Sequence, residues 1–235
     1  MIKLSIKYII FIFSVLVFIS CENNNNTEIQ KDLYGKQFFP LTVGNTLIYK
    51  ITHINIDAPS EIYDTTIYYL KEIVESYHID NESDTAYRIE RYTSPDKNHW
   101  TINQIWSAKR TTLTAEKVEE NQRIVKLRFP VAVNQQWNGN LFNNLDAKIF
   151  KIRDINFNYS IDNQQFEDCV LVVHDSLLSL VYKNYECEIY AKNIGLIYKE
   201  ITHISSQIIN PLIMIENRAK ILYVLKQELI EMRKI

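Results

Sequence analysis

Turn-forming clusters interrupt this chain at short intervals, and the segments between them are rich in β-branched and aromatic residues. The clusters DAPS, DNESD, SPDKN, NGN and IDNQQ consist largely of Asn, Asp, Ser, Pro or Gly. Those residues favour turns, whereas Val, Ile, Thr and Tyr favour strands. The pattern predicts a mainly β fold, an antiparallel meander sheet that forms a closed barrel or a half-barrel.

Nine strands are predicted between the clusters. Their ranges are Asn45–Asp57, Ile62–Ile79, Thr85–Thr93, Trp100–Lys109, Arg123–Phe129, Asp146–Asn156, Asp168–His174, Leu180–Ala191 and Gly195–Ile204. The stretch Tyr68–Tyr77 also fits one face of a helix, but the Thr and Tyr residues beside it favour a strand.

The first residues have the pattern of an export signal. Lys3 and Lys7 supply positive charge, and the 12 residues of the largely apolar run Tyr8–Ile19 are too few to span a bilayer comfortably. Ser20 and Cys21 then resemble the lipobox of bacterial lipoproteins, in which the cysteine carries the lipid and becomes the first mature residue. The resemblance implies lipidation of Cys21 and attachment to a membrane. An uncleaved anchor with an incidental cysteine is the alternative.

The composition changes abruptly at this cysteine. Residues 21–36 are polar and rich in asparagine, which is typical of a flexible tether. We therefore expect a signal peptide at residues 1–20, a tether at 21–36 and the antiparallel β domain at 37–207.

Residues 208–235 form a tail of different character. Ile221, Leu225 and Leu229 recur at intervals of four with charged residues between them, which predicts a C-terminal amphipathic helix packed on the sheet. Binding of that helix to a membrane or a partner is an alternative role. A final strand is an alternative structure for the same residues.

Three segments together resemble a group of Bacteroidota lipoproteins of unknown function. They are FPLTVGNTLIY, VEENQRIVKLRFPVAVNQQWNGNLFN and YECEIYAKNIGLIYKEI, and the resemblance covers Phe38 to Ser206. This chain departs from the group at Leu47, where an aromatic residue is usual, and at Asn134, where glycine is usual. The resemblance implies a lipid-anchored cell-envelope protein of a Gram-negative bacterium, most simply in the outer membrane. It assigns no catalytic residues.

Two of these segments also resemble each other. FFPLTVGNTLIY and RFPVAVNQQWNG each contain a Phe–Pro pair, followed by Gly44 or Asn134 where a tight turn needs a positive φ. The match indicates an internal duplication of one corner, with coincidence as the alternative. Trp137 follows the second corner and is predicted to cap one end of the core near Phe129 and Val133, with its N–H bonded to the backbone. A surface indole that stacks on a sugar is the alternative.

The two remaining cysteines suggest a disulfide. Cys169 and Cys187 each lie nine residues from Leu178, so a hairpin centred there would place them opposite each other. Paired thiols in an exported protein tend to form a bridge. Two buried free thiols are the alternative.

Metal and cofactor sites are not expected. His53 and His203 lie in the similar sequences YKITHI and YKEITHI, and closure of a barrel would bring these strands together, but no further zinc ligand follows at a useful spacing. No Gly-rich phosphate loop or nucleotide fingerprint occurs in the sequence. With 26 basic and 28 acidic side chains and no basic stripe, nucleic-acid binding is not expected either.

Three short stretches resemble the Bacteroidota O-glycosylation motif, an Asp followed by Ser or Thr and then an aliphatic residue or Thr. They are DTT, DTA and DSL, with Thr65, Thr85 and Ser176 as acceptors. Ordinary turn polarity is the alternative. Glycosylation would require all three side chains to be exposed.

No catalytic motif is present in the sequence, and Glu119–Glu120 is interpreted as solvated charge in a turn. We therefore expect a non-enzymatic binding or structural module, with a hydrophobic molecule or a glycan as ligand. An envelope hydrolase with an unrecognised active site is the alternative.

Overall fold

An antiparallel sheet of 12 strands dominates residues 34–234, the part of the chain that the computed structural model describes. The strands are β1 (Thr46–Asp57), β2 (Ile62–Ile79), β3 (Thr85–Ser94), β4 (Thr101–Arg110), β5 (Thr114–Glu119), β6 (Gln122–Arg128), β7 (Gln136–Asn138), β8 (Ile149–Ile161), β9 (Gln164–Leu178), β10 (Tyr182–Ala191), β11 (Gly195–Ser205) and β12 (Ile221–Arg233). Short 3₁₀ helices occur at Lys36–Phe38, Ala58–Ser60 and Ile215–Arg218. None of the helices in this range is long and apolar enough to cross a membrane.

The sheet consists of two six-stranded meanders joined at their terminal strands. Its order is β6-β5-β4-β3-β2-β1-β12-β11-β10-β9-β8-β7, so β1 and β12 pair in the middle. The outer edges approach each other, because the N–H of Val125 donates to the carbonyl of Gly139 at 2.8 Å. The sheet is thus a nearly closed barrel, and the predicted antiparallel meander is confirmed.

The predicted strands agree with the structure in most of the sheet. Ile62–Ile79 has the predicted bounds, and the other eight predicted ranges overlap observed strands. Two short strands, Thr114–Glu119 and Gln136–Asn138, were not predicted.

The predicted C-terminal helix is wrong, and the extended alternative is correct. Ile221–Arg233 is a strand that pairs with β1 on one side and β11 on the other. An interval of four residues fits a helix face, but it also fits one face of a strand because four is even. Leu229 and Gln227 are accordingly buried on alternate positions. The tail therefore belongs to the same sheet as the segment before it.

The corner before β1 is a tight turn whose backbone forms hydrogen bonds with β2. The N–H of Asn45 donates to the Thr42 carbonyl at 3.1 Å, and Gly44 has the expected positive φ of 92°. Gly44 N donates to the Val74 carbonyl at 2.7 Å, and Val74 N donates back to the Asn45 carbonyl at 3.0 Å.

The corner before β7 repeats these bonds one for one. Gln135 N donates to the Ala132 carbonyl at 3.1 Å, Asn134 has a φ of 67°, and Asn134 and Gln135 exchange bonds with Ile152 of β8 at 2.9 and 3.0 Å. The predicted positive φ values are confirmed. Each corner opens one six-stranded meander, so the sequence match corresponds to a shared geometry. Its origin by duplication stays a prediction.

Two groups of buried side chains form the core. The first contains Phe38, Phe129, Trp137, Phe150 and Tyr190 among others. The second contains Tyr49, Leu70, Ile189, Ile197 and Leu229 among others. A set of charged side chains is buried as well, and these define the site described next.

Candidate functional site

A cavity of about 100 Å³ lies inside the sheet and is lined by both meanders. Part of its wall is apolar and comes from Phe39, Leu41, Val74, Ile89, Trp106 and Leu196, among others. Seven charged side chains line much of the remainder. They are Glu72, Arg91, Lys117, Glu119, Lys126, Glu188 and Lys199.

The first ion-pair group is built on β2, β3 and β5 of one meander, with Trp106 on β4 between them. Glu72 of β2 lies opposite Arg91 of β3 in the register, and Arg91 Nε lies 2.9 Å from Glu72 Oε1. Lys117 Nζ donates to Glu72 Oε2 at 3.0 Å. The guanidinium of Arg91 lies 3.5 Å from the ring centre of Trp106, and the ammonium of Lys117 lies 4.7 Å from it. The indole thus forms a wall against which both cations lie.

The second group joins the two meanders. Lys126 Nζ of β6 donates to Glu188 Oε1 of β10 at 2.6 Å and lies 3.3 Å from Glu119 Oε1. Only 5% of the Lys126 side chain and 1% of the Glu188 side chain are exposed. Lys199 Nζ of β11, opposite Glu188 in the register, lies 3.8 Å from Glu188 Oε1.

Two buried tyrosines complete the polar part of the cavity. Tyr190 donates from its hydroxyl to Glu188 Oε2 at 2.5 Å. Tyr49 donates to the carbonyl of Leu196 at 3.0 Å. Burial and nearby carboxylates raise the pKa of both phenols well above the ordinary value, so they act as neutral donors.

His174 lies beside this network but is neutral. Its ring stacks on Phe150 with centroids 3.7 Å apart, and its Nε2 lies 3.5 Å from Glu188 Oε2. The pKa of His174 is lowered to about 3, because burial and the nearby lysines together outweigh the attraction of the Glu188 carboxylate. Nε2 has no hydrogen-bond partner within residues 34–234.

The ion pairs shift the pKa values of the buried charged groups away from neutral pH, so these groups stay ionised. Burial alone would raise the pKa of Glu119, but Lys126, Lys199 and Lys117 together lower it to about 2. Burial would also raise the pKa of Glu188, but nearby cations, Lys126 above all, lower it. Burial would lower the pKa of Lys126, and its two carboxylate partners raise it instead. At neutral pH three carboxylates therefore face four cations in this cavity.

A second cluster of charges contains its own cation. The carboxylate oxygens of Asp80, Glu82 and Asp84 lie within 4.8 Å of one another, a grouping that could bind a metal ion. The ammonium of Lys109 occupies this position, at 2.9 Å from Asp80 Oδ2 and 3.0 Å from Asp84 Oδ2. The arrangement is therefore an ion-pair cluster in which Lys109 stands where a metal would bind.

The cysteines do not face each other as expected. Cys187 lies opposite Val173 and Cys169 lies opposite Ala191, because the hairpin is centred two residues beyond Leu178. The prediction of facing thiols is wrong, and both cysteines are free and buried. Burial raises the pKa of each to about 11, so neither is an activated nucleophile. Cys21 lies outside the described residues, and its lipidation stays a prediction.

The two histidines with similar sequence neighbours are separated by a tyrosine. β12 lies between β1 and β11, and the ring of Tyr223 lies 5.0 Å from His53 and 6.0 Å from His203. The expected direct pairing of their strands is wrong. The two imidazoles contact the same phenol instead of converging on one point.

The three proposed glycosylation sites are all exposed. Thr65 lies on β2, Thr85 begins β3, and Ser176 lies near the end of β9. The exposure that the modification requires is therefore met. The modification itself stays a prediction.

The charged cavity was not predicted from the sequence. Glu119 was interpreted as solvated, whereas its side chain is 15% exposed and pairs with Lys126. One signal was available: Lys126 lies between Val125 and Leu127, and Glu188 lies between Cys187 and Ile189, so each charge has apolar neighbours on both sides. A charge at such a position must be paired when it is buried.

The chain has distant similarity in structure to known proteins. No family model and no curated protein matches the chain. The chain resembles a Bacteroides fragilis protein classed as exported and described as having a YmcC-like fold, with 11% identity and a TM-score of 0.45, over 84% of this chain and 99% of that one. It also resembles a Parabacteroides distasonis protein classed as a lipoprotein, with 14% identity and a TM-score of 0.39, over 83% and 98% of the two chains.

Proposed function

We propose that this chain is a lipid-anchored protein of the bacterial cell envelope whose β domain binds a small ligand. The anchor is Cys21, at the end of the lipobox-like segment, and the polar residues 21–36 tether the domain to the membrane. The outer membrane of a Gram-negative bacterium is the proposed location, on the sequence resemblance to Bacteroidota lipoproteins.

The observation that supports a binding role is the cavity inside the sheet. It combines an apolar wall with a small number of fixed polar groups, which is the usual composition of a ligand site. The polar groups are positioned by strand pairing and by mutual ion pairs, so the site is formed before a ligand arrives. Pre-organisation of this kind reduces the free-energy cost of binding.

The states of the charged groups favour binding over hydrolysis. General acid or base catalysis works best with a group whose pKa lies near the working pH. Glu119 in the cavity has a pKa of about 2 and is ionised at neutral pH. His174 beside the cavity has a pKa of about 3 and is neutral at the same pH. Both are far from the range in which they would exchange protons at neutral pH.

Native mass spectrometry of the full chain, extracted from membranes of its own cells, tests this proposal. We expect a small molecule that stays bound under native conditions and is released on denaturation. The same sample should leave ester, amide and glycoside substrates unchanged. Turnover of any of these substrates that is lost in a folded Glu188→Gln variant would overturn the binding role in favour of the hydrolase.

A further inference from the structure

We propose that the cavity binds a small monocarboxylate, whose charge pairs with Lys199 and whose apolar group lies against the wall that contains Trp106. This inference rests on the proposed binding function and names the chemical class of the ligand.

The charged side chains that line the cavity favour an anion as the ligand. Three carboxylates, Glu72, Glu119 and Glu188, face the four cations Arg91, Lys117, Lys126 and Lys199. The cations exceed the carboxylates by one charge, and an anion of one charge would balance this excess. A dianion such as phosphate would not balance the cavity, because it would leave one negative charge in excess.

Lys199 is the cation that a ligand can reach. Arg91, Lys117 and Lys126 each lie within 3.0 Å of a carboxylate oxygen, and their side chains are at most 12% exposed. The Lys199 ammonium is 3.8 Å from its nearest carboxylate oxygen, and its side chain is 23% exposed. Within residues 34–234 the ion-pair partner of Lys199 is Glu188, and 3.8 Å is too long for a hydrogen bond. The three N–H donors of Lys199 are therefore available to a ligand.

The size and walls of the cavity limit the rest of the ligand. A dry cavity of about 150 Å³ accommodates benzene, so about 100 Å³ suits a short acyl chain or part of a single ring. Leu196, Trp106 and Phe39 line the cavity that Lys199 also lines. An amphiphilic monoanion therefore matches both the charge and the apolar surface, whereas a fully polar anion would leave the apolar wall uncovered.

Isothermal titration of the full chain in lipid nanodiscs tests this inference, with benzoate and butyrate as carboxylate probes. Benzamide is the neutral analogue of benzoate, and inorganic phosphate is the polar anion. We expect benzoate or butyrate to bind, with affinity at least about tenfold higher than that of benzamide or phosphate.

Variants assign the effect to Lys199. Lys199→Gln should weaken carboxylate binding about tenfold or more, and Lys199→Arg should restore most of it. Lys226→Gln removes one positive charge from the neighbouring strand outside the cavity and should bind like the wild type. Melting curves identify any variant that does not fold.

Three results in which a probe binds would overturn the inference. Benzamide could bind as tightly as benzoate, phosphate could bind while the carboxylates do not, or Lys199→Gln could fold and bind unchanged. In each case the binding role itself would stand or fall on the ligand found by native mass spectrometry. Absence of binding by every probe would also overturn the assignment to a small monocarboxylate, without deciding whether another ligand occupies the cavity.

Discussion

The indole Nε1 of Trp137 donates a 2.8 Å hydrogen bond to the carbonyl oxygen of Val125, and this bond links the two outer strands of the sheet. Trp137 is 5% exposed and packs edge-on against Phe150, with ring centroids 6.0 Å apart. A Cβ on Gly139 would lie 2.5 Å from the Phe150 ring, so glycine is required where this ring approaches the backbone. The predicted core role and the predicted backbone bond of Trp137 are confirmed.

Trp137→Ala should destabilise the domain by about 3–5 kcal/mol, because it removes a buried aromatic side chain and leaves the Val125 carbonyl without its donor. Chemical denaturation of the purified protein measures the loss. Trp100→Ala is the matched control, since Trp100 is half-buried at the edge of a turn and should cost much less. Equal stability of wild type and Trp137→Ala would contradict the structural role and favour a ligand-stacking one.

One part of the Trp137 prediction fails. Val133 was expected to pack beside the indole, but it is 45% exposed on the corner turn. The equivalent Val43 of the other corner is 40% exposed. The shared turn directs both valines outward, which the sequence pattern could not reveal without the turn geometry.

Cys21→Ala should abolish acylation of the chain and leave residues 1–20 attached to it. Without the cysteine there is no thiol to acylate, and the lipobox that directs cleavage before residue 21 is lost. Mass spectrometry of the membrane fraction should find an acylated N-terminal Cys21 in the wild type and an unacylated, uncleaved chain in the variant. Cys169→Ala, in which a buried thiol is changed, is the control and should be acylated at Cys21 like the wild type. An intact Met1 on the wild-type chain would refute lipidation.

Lys109→Met should convert an ion-pair cluster into a calcium site. Removal of the ammonium leaves Asp80, Glu82 and Asp84 within 4.8 Å of one another, with oxygen ligands that suit Ca²⁺. At ten times the dissociation constant, Ca²⁺ should stabilise the variant by about 1.4 kcal/mol, which corresponds to a melting temperature roughly 3–6 °C higher. The wild type should not respond, because Lys109 occupies the position. A calcium response of the same size in wild type would show that the ammonium does not block the site.

Local features of the fold could be predicted because they depend on neighbouring residues. The turn clusters and the two corners have fixed chemistry, and the strand Ile62–Ile79 was predicted with its observed bounds. The cavity could not be predicted in the same way. Lys126 and Glu188 are 62 residues apart in sequence, on strands β6 and β10 that do not pair, and only the closure of the sheet brings their side chains within 2.6 Å.

The tail shows the limit of periodicity as evidence. Ile221, Leu225 and Leu229 have a spacing that a helix and a strand satisfy equally. What decides between them is the partner: β1 and β11 each need a neighbour for their backbone N–H and C=O groups. That requirement is a property of the whole sheet and is not visible in the tail alone.

Truncation after Ser206 should therefore prevent folding of the whole domain. It removes β12, which lies between the two meanders, and exposes both β1 and β11 as unpaired edges. Circular dichroism and solubility of the truncated chain measure the effect. Removal of only Lys234 and Ile235, which lie beyond the end of β12, is the control and should leave the sheet intact. A soluble truncated chain with the same β-sheet signal would show that the meanders fold without this strand.

His174 should make the protein less stable as the pH falls below 6.5. Its pKa in the folded state is about 3, against 6.5 for an ordinary histidine, because burial disfavours the charged ring. Between these values the unfolded chain binds a proton that the folded chain does not, so stability is lost progressively from pH 6.5 to about 3. At pH 5 the loss from this group amounts to about 2 kcal/mol.

His174→Phe keeps an aromatic ring against Phe150 and removes the titration, so its stability should change less between pH 7 and pH 5. His99→Gln is the control, since that side chain is 87% exposed, and it should follow the wild-type profile. Denaturation midpoints measured at both pH values decide the matter: a slope for His174→Phe as steep as that of the wild type would mean that the buried imidazole is not the group responsible.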